Sequence, residues 1–325
     1  MDPVIAYHTF GKLNTDKSNV IWICHALTAN SDASDWWAGI VGKGKAFDPD
    51  KHFIVCANIL GSCYGTSGPH SVNPLTEKKY YNSFPSVTIR DMVKTHILLR
   101  KHLGIEKIAV CAGGSMGGYQ CLEWAVMEPG VIDKLFLITT CAKETAWGIA
   151  IHEAQRLAIE ADPTWKNNTD DAGANGLKAA RAIGMLTYRN YETFRSTQTD
   201  EDNNKLENYK AASYIQHQGN KLVDRFNAQS YYLLTKSMDS HNLARGRIKD
   251  QGSKGKGGIE TVLKTITCPA MIIGISSDHL CPVDEQQFLA KHLGKGTFVE
   301  IHSSFGHDGF LVEGEKLQEV LKNFI

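Results

Sequence analysis

The chain has 325 residues, 42% of them hydrophobic, and its 35 Lys and Arg balance its 35 Asp and Glu. Zero net charge argues against nucleic acid as the main partner, because neutralising phosphates needs a concentrated basic surface. No apolar run reaches the 18 residues of a membrane span, and residues 1–10 lack the basic start of a secretory signal. The eight cysteines include no Cys-x-x-Cys pair, so we expect free thiols, a cytoplasmic protein and no bound metal.

Apolar runs alternate with helical patterns through the first 140 residues. The runs are continuous rather than alternating, which is typical of strands buried on both faces of a parallel sheet. They cover residues 20–24, 53–56, 108–111 and 135–138. Between them, apolar residues at helical spacing predict helices over residues 86–103 and 118–127.

The character of the chain changes from about residue 141 to residue 264. Strong strand signals are missing there, and the pattern predicts helices over residues 148–161, 174–188 and 229–243, followed by a Gly/Lys-rich stretch at 251–258. Strand signals return at 270–274 and 297–301, before a terminal helix at 313–325. We therefore predict an α/β core of residues 1–141 and 265–325, interrupted by a helical insertion at 142–264.

A glycine-rich turn follows the run at residues 108–111. The sequence Gly113-Gly114-Ser115-Met116-Gly117 fits Gly-x-Ser-x-Gly between a strand and a helix, the context of a nucleophile elbow. Small residues on both sides leave room for the sharp turn, and the helix N-terminus favours negative charge. A chance match and a phosphate-binding turn are the alternatives, but the spacing Gly-x-Gly-x-x-Gly and a following Lys are missing. The turn predicts Ser115 as a nucleophile.

An acid and a histidine should follow the nucleophile in that order. Asp278 comes just after the first of the two later strands, and His307 lies in a glycine-flanked loop after the second. In this arrangement Asp278 orients His307, which takes the proton of Ser115. His302 and Asp284 are rivals, but His302 ends a strand and Asp284 suits the N-cap of the next helix.

The remaining part of such a site is an oxyanion hole made of backbone N–H groups. One donor comes from the residue after the nucleophile, here Met116, and the other from the loop that follows the strand at residues 20–24. The sequence there is His25-Ala26-Leu27-Thr28. We predict that the amides of Leu27 and Met116 form the hole.

Several motifs together resemble the homoserine O-acetyltransferase family. The resemblance extends over nearly the whole chain, and its motifs are residues 25–28 (HALT), 58–69 (NILGSCYGTSGP), 73–74 (NP), 84–92 (FPSVTIRDM), 113–118 (GGSMGG) with 122–124 (LEW), and 306–311 (GHDGFL). It implies an α/β-hydrolase fold, with a mostly parallel sheet, helices on both faces and an inserted helical lid. In the family this lid also mediates dimerisation, so a homodimer is expected.

The resemblance also implies a reaction. The acetyl group of acetyl-CoA would pass through an acetyl-Ser115 intermediate to the hydroxyl of L-homoserine, in methionine biosynthesis and without a permanently bound cofactor. The family's substrate-binding positions match Arg181, Tyr188 and Asp308. A zwitterionic amino acid needs a cation for its carboxylate and an anion for its ammonium group, which Arg and Asp supply. Without the resemblance, Arg181 would be interpreted as a solvated helix residue and Tyr188 as ordinary packing.

Other functions remain compatible with these residues. Related enzymes use succinyl-CoA as the donor or L-serine as the acceptor. Ser115, Asp278 and His307 in a site more accessible to water would make an esterase or another hydrolase. A non-catalytic binding module of the same fold is the alternative from another class, and the intact Ser115, Asp278 and His307 argue against it.

Overall fold

Seven strands form one sheet, and its order explains how the site is assembled. The computed structural model describes residues 3–247 and 258–325. The strand order is β1-β3-β2-β4-β5-β6-β7, and every neighbouring pair is parallel except the edge pair β1 and β3. The strands are β1 Tyr7–Phe10, β2 Val20–Cys24, β3 Phe53–Ala57, β4 Val110–Gly114, β5 Leu135–Ile138, β6 Ala270–Ile275 and β7 Gly296–Ile301. The predicted α/β fold with a mostly parallel sheet is confirmed.

Helices occupy most of the chain between the strands. In chain order the described ones are α1 Ala33–Trp36, α2 Ile89–His102, α3 Met116–Met127, α4 Ala146–Glu160, α5 Ala174–Tyr188, α6 Tyr191–Gln198, α7 Lys210–Val223, α8 Ala228–Asp239, α9 Gly258–Leu263, α10 Val283–His292, α11 Gly309–Val312 and α12 Gly314–Lys322. None of them is long and apolar enough to cross a membrane.

Both faces of the sheet are covered, as continuous apolar strands require. Successive side chains of β2 point to opposite faces. Trp22 packs in the cluster that includes Leu99 of α2 and Leu122 of α3. Ile23 packs in the opposite cluster, with Leu317 of α12. The sheet is therefore the middle of three layers.

The bounds of β3, β6 and β7 differ from the prediction by one residue at one end, and β4 differs most. The run at residues 108–111 predicted a strand there, with the glycine-rich turn beginning at Ala112. In the structure β4 begins at Val110 and continues through Gly114, because Gly113 and Gly114 pair with Leu137 and Ile138 of β5. Pairing with a neighbouring strand outweighs the weak strand preference of glycine.

Helices α4 to α8 lie between β5 and β6 and cover the carboxyl edge of the sheet. A third apolar cluster joins them to the core, where Leu27 and Met116 meet Leu177 of α5 and Leu234 of α8. Helix α9 packs instead with the core cluster, through Leu263. Residues 251–257 of the predicted Gly/Lys-rich stretch lie outside the described residues.

Candidate active site

Ser115 lies in a strained turn between β4 and α3. Its φ is 55° and its ψ is −127°, a conformation that costs energy for any residue with a side chain. The surrounding chain holds this turn: the Ser115 amide donates to the Ile138 carbonyl at 2.9 Å, and Thr140 Oγ1 donates to the Ser115 carbonyl at 3.0 Å. The side-chain hydroxyl hydrogen bonds to none of the described residues, so it is free to react.

The glycines around Ser115 have a steric cause. A Cβ atom added at Gly117 would lie 2.1 Å from the carbonyl oxygen of Cys24, and one added at Gly113 would lie 2.4 Å from the carbonyl carbon of Gly117. Both distances are far shorter than van der Waals contact. The Gly-x-Ser-x-Gly pattern therefore reflects the close approach of β2, β4 and α3 at this turn.

The structure brings Asp278 and His307 together at the same edge of the sheet. His307 Nδ1 donates to Asp278 Oδ2 at 2.7 Å, and Asp278 Oδ1 accepts the amides of Leu280 and Cys281 at 2.8 and 2.9 Å. Both side chains are buried. Because a carboxylate only accepts, Nδ1 carries the hydrogen, and Nε2 of the neutral imidazole has the lone pair of a general base.

The charge of Asp278 changes the titration of His307. Burial lowers the pKa of His307, but the nearby Asp278 charge and its hydrogen bond raise that pKa more strongly, and Asp308 and Glu144 add to the increase. The net result is a pKa above the ordinary value of 6.5. Asp278 thus stabilises the imidazolium that forms when His307 accepts a proton.

Ser115 and His307 line one cavity of about 350 Å³, and they also line a smaller void beside it. The two side chains make no hydrogen bond with each other in the part of the chain that the structure describes. Such contacts often form only when substrate is bound. The shared cavity places the proposed nucleophile and base around one reaction space.

The two rivals occupy other positions. The side chain of His302 is 88% exposed and lies 3.9 Å from Glu300. The expectation that Asp284 caps a helix is wrong: α10 begins at Val283 with Pro282 at its N-cap, so Asp284 lies in the first turn. Proline at the cap fixes the extended backbone there, and Asp284 instead faces the positive end of the helix dipole.

The two predicted oxyanion donors lie beside Ser115. Leu27 lines the cavity, and Met116 is the first residue of α3. Neither backbone amide donates to an acceptor among residues 3–247 and 258–325. Free N–H groups at a helix N-terminus and on an adjacent loop are suited to a developing oxyanion.

The predicted substrate residues Arg181 and Tyr188 lie on α5 and line the same cavity. The guanidinium of Arg181 lies 5.4 Å from the centre of the Tyr188 ring, and that ring stacks on His307 at 5.9 Å. Arg181 Nε is buried without a hydrogen-bond partner, and the side chain forms no ion pair with the described residues. Burial raises the pKa of Tyr188, which keeps its hydroxyl neutral. The Arg181 guanidinium in the cavity is therefore available to bind a negatively charged group of a ligand.

Asp308 already has a protein partner. Its Oδ2 lies 3.1 Å from Arg189 Nε, an ion pair whose geometry leaves Arg189 Nε without a proper hydrogen bond. Burial raises the pKa of Asp308, although the charges of Arg189, Arg181 and His307 oppose the increase. Sequence reasoning missed Arg189, because nothing in the sequence links it to Asp308 before the lid is folded over the core.

This chain is similar to known proteins over nearly its whole length. The family model described as alpha/beta hydrolase fold matches residues 19–314. A homoserine O-acetyltransferase of Cyclobacterium marinum is 46% identical, over 98% of this chain and 88% of its own length. The chain belongs to the homoserine O-acetyltransferase family.

Solved structures show the same fold. A homoserine O-acetyltransferase from Bacillus anthracis superposes with a TM-score of 0.88 at 24% identity, covering 98% of this chain and 91% of its own. Esterase E22 superposes with a TM-score of 0.86 at 24% identity, covering 98% and 93%. At this identity the likeness concerns the fold, which family members share with hydrolases.

A second polar group beside Ser115 was not predicted. Tyr119 donates to Glu144 at 3.0 Å, and burial raises the pKa of Glu144. His152 donates to Asp239 at 2.7 Å and lines the cavity as well. The periodicity of α4 places His152 on its buried face, a signal that the sequence contained but that any core histidine would share.

Three cysteines also come together, although their sequence positions showed no metal motif. The Sγ atoms of Cys24, Cys111 and Cys121 lie within 4.8 Å of one another, and all three residues are buried. Adjacent strands β2 and β4 and the helix α3 bring them together. The three thiols could hold a soft metal ion. All eight cysteines are free, and the expected lack of a metal stays a prediction.

The His307–Asp278 pair predicts a specific pH dependence. Turnover of an acetyl donor should fall on the acid side with a midpoint above pH 6.5, because protonated His307 accepts no proton from Ser115. Asp278→Asn should lower the midpoint and reduce kcat by about 10⁴-fold. Asp284→Asn is the matched control and should change neither quantity. An unchanged midpoint in Asp278→Asn would show that Asp278 does not set the titration of His307.

Proposed function

We propose that this protein is a homoserine O-acetyltransferase that moves the acetyl group of acetyl-CoA to the hydroxyl of L-homoserine, in methionine biosynthesis. The observation that carries the proposal is the half-buried Arg181, whose buried Nε has no hydrogen-bond partner, in the same cavity as Ser115 and the Asp278–His307 pair. An esterase of simple substrates has no need of an unpaired cation in the cavity of its nucleophile. The names of relatives such as the Cyclobacterium marinum enzyme support the same reaction.

The first half-reaction acylates the enzyme. His307 Nε2 takes the proton of Ser115, and Ser115 Oγ attacks the thioester carbon of acetyl-CoA. The amides of Leu27 and Met116 donate to the oxyanion that forms. The carbon–sulfur bond then breaks, His307 returns its proton to the departing thiolate, and acetyl-Ser115 and CoA result.

The second half-reaction transfers the acetyl group. L-homoserine binds with its carboxylate on Arg181 and its ammonium group near Asp308, while Tyr188 forms part of the wall. His307 removes the hydroxyl proton, and the hydroxyl oxygen attacks the acetyl carbon. The ester bond to Ser115 breaks, and His307 returns the proton to Ser115 Oγ. Acetyl-CoA is thus a substrate, and we propose no permanently bound cofactor.

Transfer must outcompete hydrolysis of acetyl-Ser115 by water. Orientation of a bound acceptor supplies effective concentrations of up to about 10⁵–10⁸ M, far above that of water. The burial of Ser115 under the lid helices limits the access of water, and Arg181 holds the acceptor at a fixed distance from the acyl group. The lid helices and Arg181 together favour transfer to the acceptor over hydrolysis.

The acyl-enzyme can be detected directly. Mixing the protein with acetyl-CoA in the absence of acceptor, followed by rapid quenching and peptide mass spectrometry, should show one acetyl group on Ser115. Ser115→Ala should show none and should lose transfer. Efficient transfer by the wild-type protein with no acetyl group on Ser115 at any time would contradict the two-step scheme.

We expect Arg181 to contribute to binding of the acceptor L-homoserine and not to the reaction with the donor acetyl-CoA. Arg181→Lys keeps the charge but loses the two-pronged contact, so we expect KM for L-homoserine to rise by about 10- to 100-fold. The rate of acetyl-Ser115 formation from acetyl-CoA should stay unchanged. Arg195→Lys, at an exposed position of α6, is the control. An equal loss in both half-reactions would assign Arg181 to packing.

We also propose that residues 142–264 act as the lid and mediate a homodimer in the cytoplasm. Exposed apolar side chains on the lid helices support this surface, among them Leu157, Leu186 and Tyr191. These three residues belong to the successive helices α4, α5 and α6. A continuous apolar patch on the surface of a protein is typical of an interaction site. Eight free thiols fit a reducing compartment.

The dimer can be tested with one substitution. Leu186 is 64% exposed on α5, and Leu186→Glu should shift the protein from dimer to monomer, because it places a charge in an apolar interface. Leu98→Glu is the control, since Leu98 is 54% exposed on α2, outside the lid helices. Light scattering after size exclusion measures both masses. A wild-type monomer, or a Leu186→Glu protein that stays dimeric, would contradict this interface.

A further inference from the structure

The active-site cavity has a buried end and an exposed end. At the buried end, Ser115 is 9% exposed and His307 is 4% exposed. The side chains of Lys221 and Arg225 line the same cavity but belong to exposed residues. This second end is therefore the mouth through which a substrate enters.

The two cations at the mouth have no acidic partner among residues 3–247 and 258–325. Lys221 lies in the last turn of α7, and its ammonium group forms no ion pair there. Arg225 Nη1 donates to the Thr28 carbonyl at 2.5 Å and to the Tyr64 hydroxyl at 2.6 Å, and both acceptors are neutral. The N–H groups on Nε and Nη2 stay available for a ligand.

One acidic residue, Asp35, also lines this end of the cavity and is exposed. It forms no ion pair with Lys221, with Arg225 or with any other described residue. The two cations and one anion leave an excess of positive charge at the mouth. A cavity wall of this kind attracts negatively charged ligands.

The chemistry of the donor explains what such a ligand would be. The thioester must reach Ser115 at the buried end, so the rest of a CoA thioester must extend toward the mouth. That part is a long uncharged arm that ends in nucleotide phosphates. Arginine binds phosphate through parallel N–H groups, and lysine binds it as a point charge. L-homoserine is too small to need cations at both Arg181 and the mouth.

We propose that Lys221 and Arg225 form a phosphate-recognition rim for the acyl donor. The proposal rests on the proposed function and adds the residues that recognise the donor's phosphates. Arg225 also donates a hydrogen bond to the carbonyl of Thr28, the residue after Leu27. The rim therefore contacts the loop whose Leu27 amide is a proposed donor to the oxyanion. The rim makes a phosphate-bearing thioester a better donor than a phosphate-free one.

Lys221→Gln tests the rim, because it removes the charge at an exposed position and leaves the fold intact. With saturating L-homoserine, KM for acetyl-CoA should rise about tenfold, the low end for a hydrogen bond between charged groups. KM for S-acetylpantetheine, a thioester without the nucleotide phosphates, should stay within twofold of the wild type. KM for L-homoserine should not change.

Lys210→Gln, at the other end of α7, is the matched control and should behave like the wild type. Calorimetry with CoA itself gives a readout without turnover: in the Ser115→Ala background, Lys221→Gln should weaken CoA binding about tenfold and leave pantetheine binding unchanged.

Three results would contradict the proposed role of the rim. One is an unchanged KM for acetyl-CoA in Lys221→Gln, and another is an equal rise for both donors. In these two cases wild-type transfer to L-homoserine would leave the proposed function standing. The third is a wild-type protein that transfers no acetyl group from acetyl-CoA, which would overturn the rim and the proposed function together.

Discussion

The strained backbone at Ser115 is the constraint on which the site depends. A serine with a φ of 55° persists only where its surroundings hold it, and here β5, Thr140 and the glycine contacts do so. The close approach of Gly117 to the Cys24 carbonyl also fixes β2 against α3. The loop that follows β2 carries Leu27, so one steric arrangement sets both the nucleophile and the oxyanion amide.

Charge inside the cavity is the second organising feature. Burying a polar group without a partner is costly, and the buried Nε of the half-buried Arg181 has no hydrogen-bond partner, nor does Arg181 have an ion-pair partner in the described parts of the chain. Asp308 is paired with Arg189, and Asp278 with His307. Protein groups thus partner these two carboxylates, while the cation of Arg181 remains for the substrate. A fold selected for stability alone would pair Arg181 too, which is why its isolation points to binding.

Much of this arrangement could be predicted from the sequence, for physical reasons. Parallel strands end at one edge of a sheet, so residues just after β4, β6 and β7 had to lie close together, and Ser115, Asp278 and His307 do. The partner of Asp308 and the cysteine cluster could not be predicted. Both join positions far apart in sequence through packing that no local pattern encodes, and polar neighbours of Ser115 such as His152 look like core residues in the sequence. The predicted N-cap at Asp284 was wrong because the N-cap is Pro282, two residues earlier, and the helix begins at Val283.

The most direct test of the account is to identify the products of acyl transfer. Purified protein would be incubated with acetyl-CoA or succinyl-CoA, each combined with L-homoserine or L-serine, and the amino-acid products followed by mass spectrometry. We expect O-acetyl-homoserine as the dominant product. O-succinyl-homoserine or O-acetyl-serine would keep the chemistry and change the substrates. Free acetate without any O-acyl amino acid would contradict the account and make the protein a hydrolase.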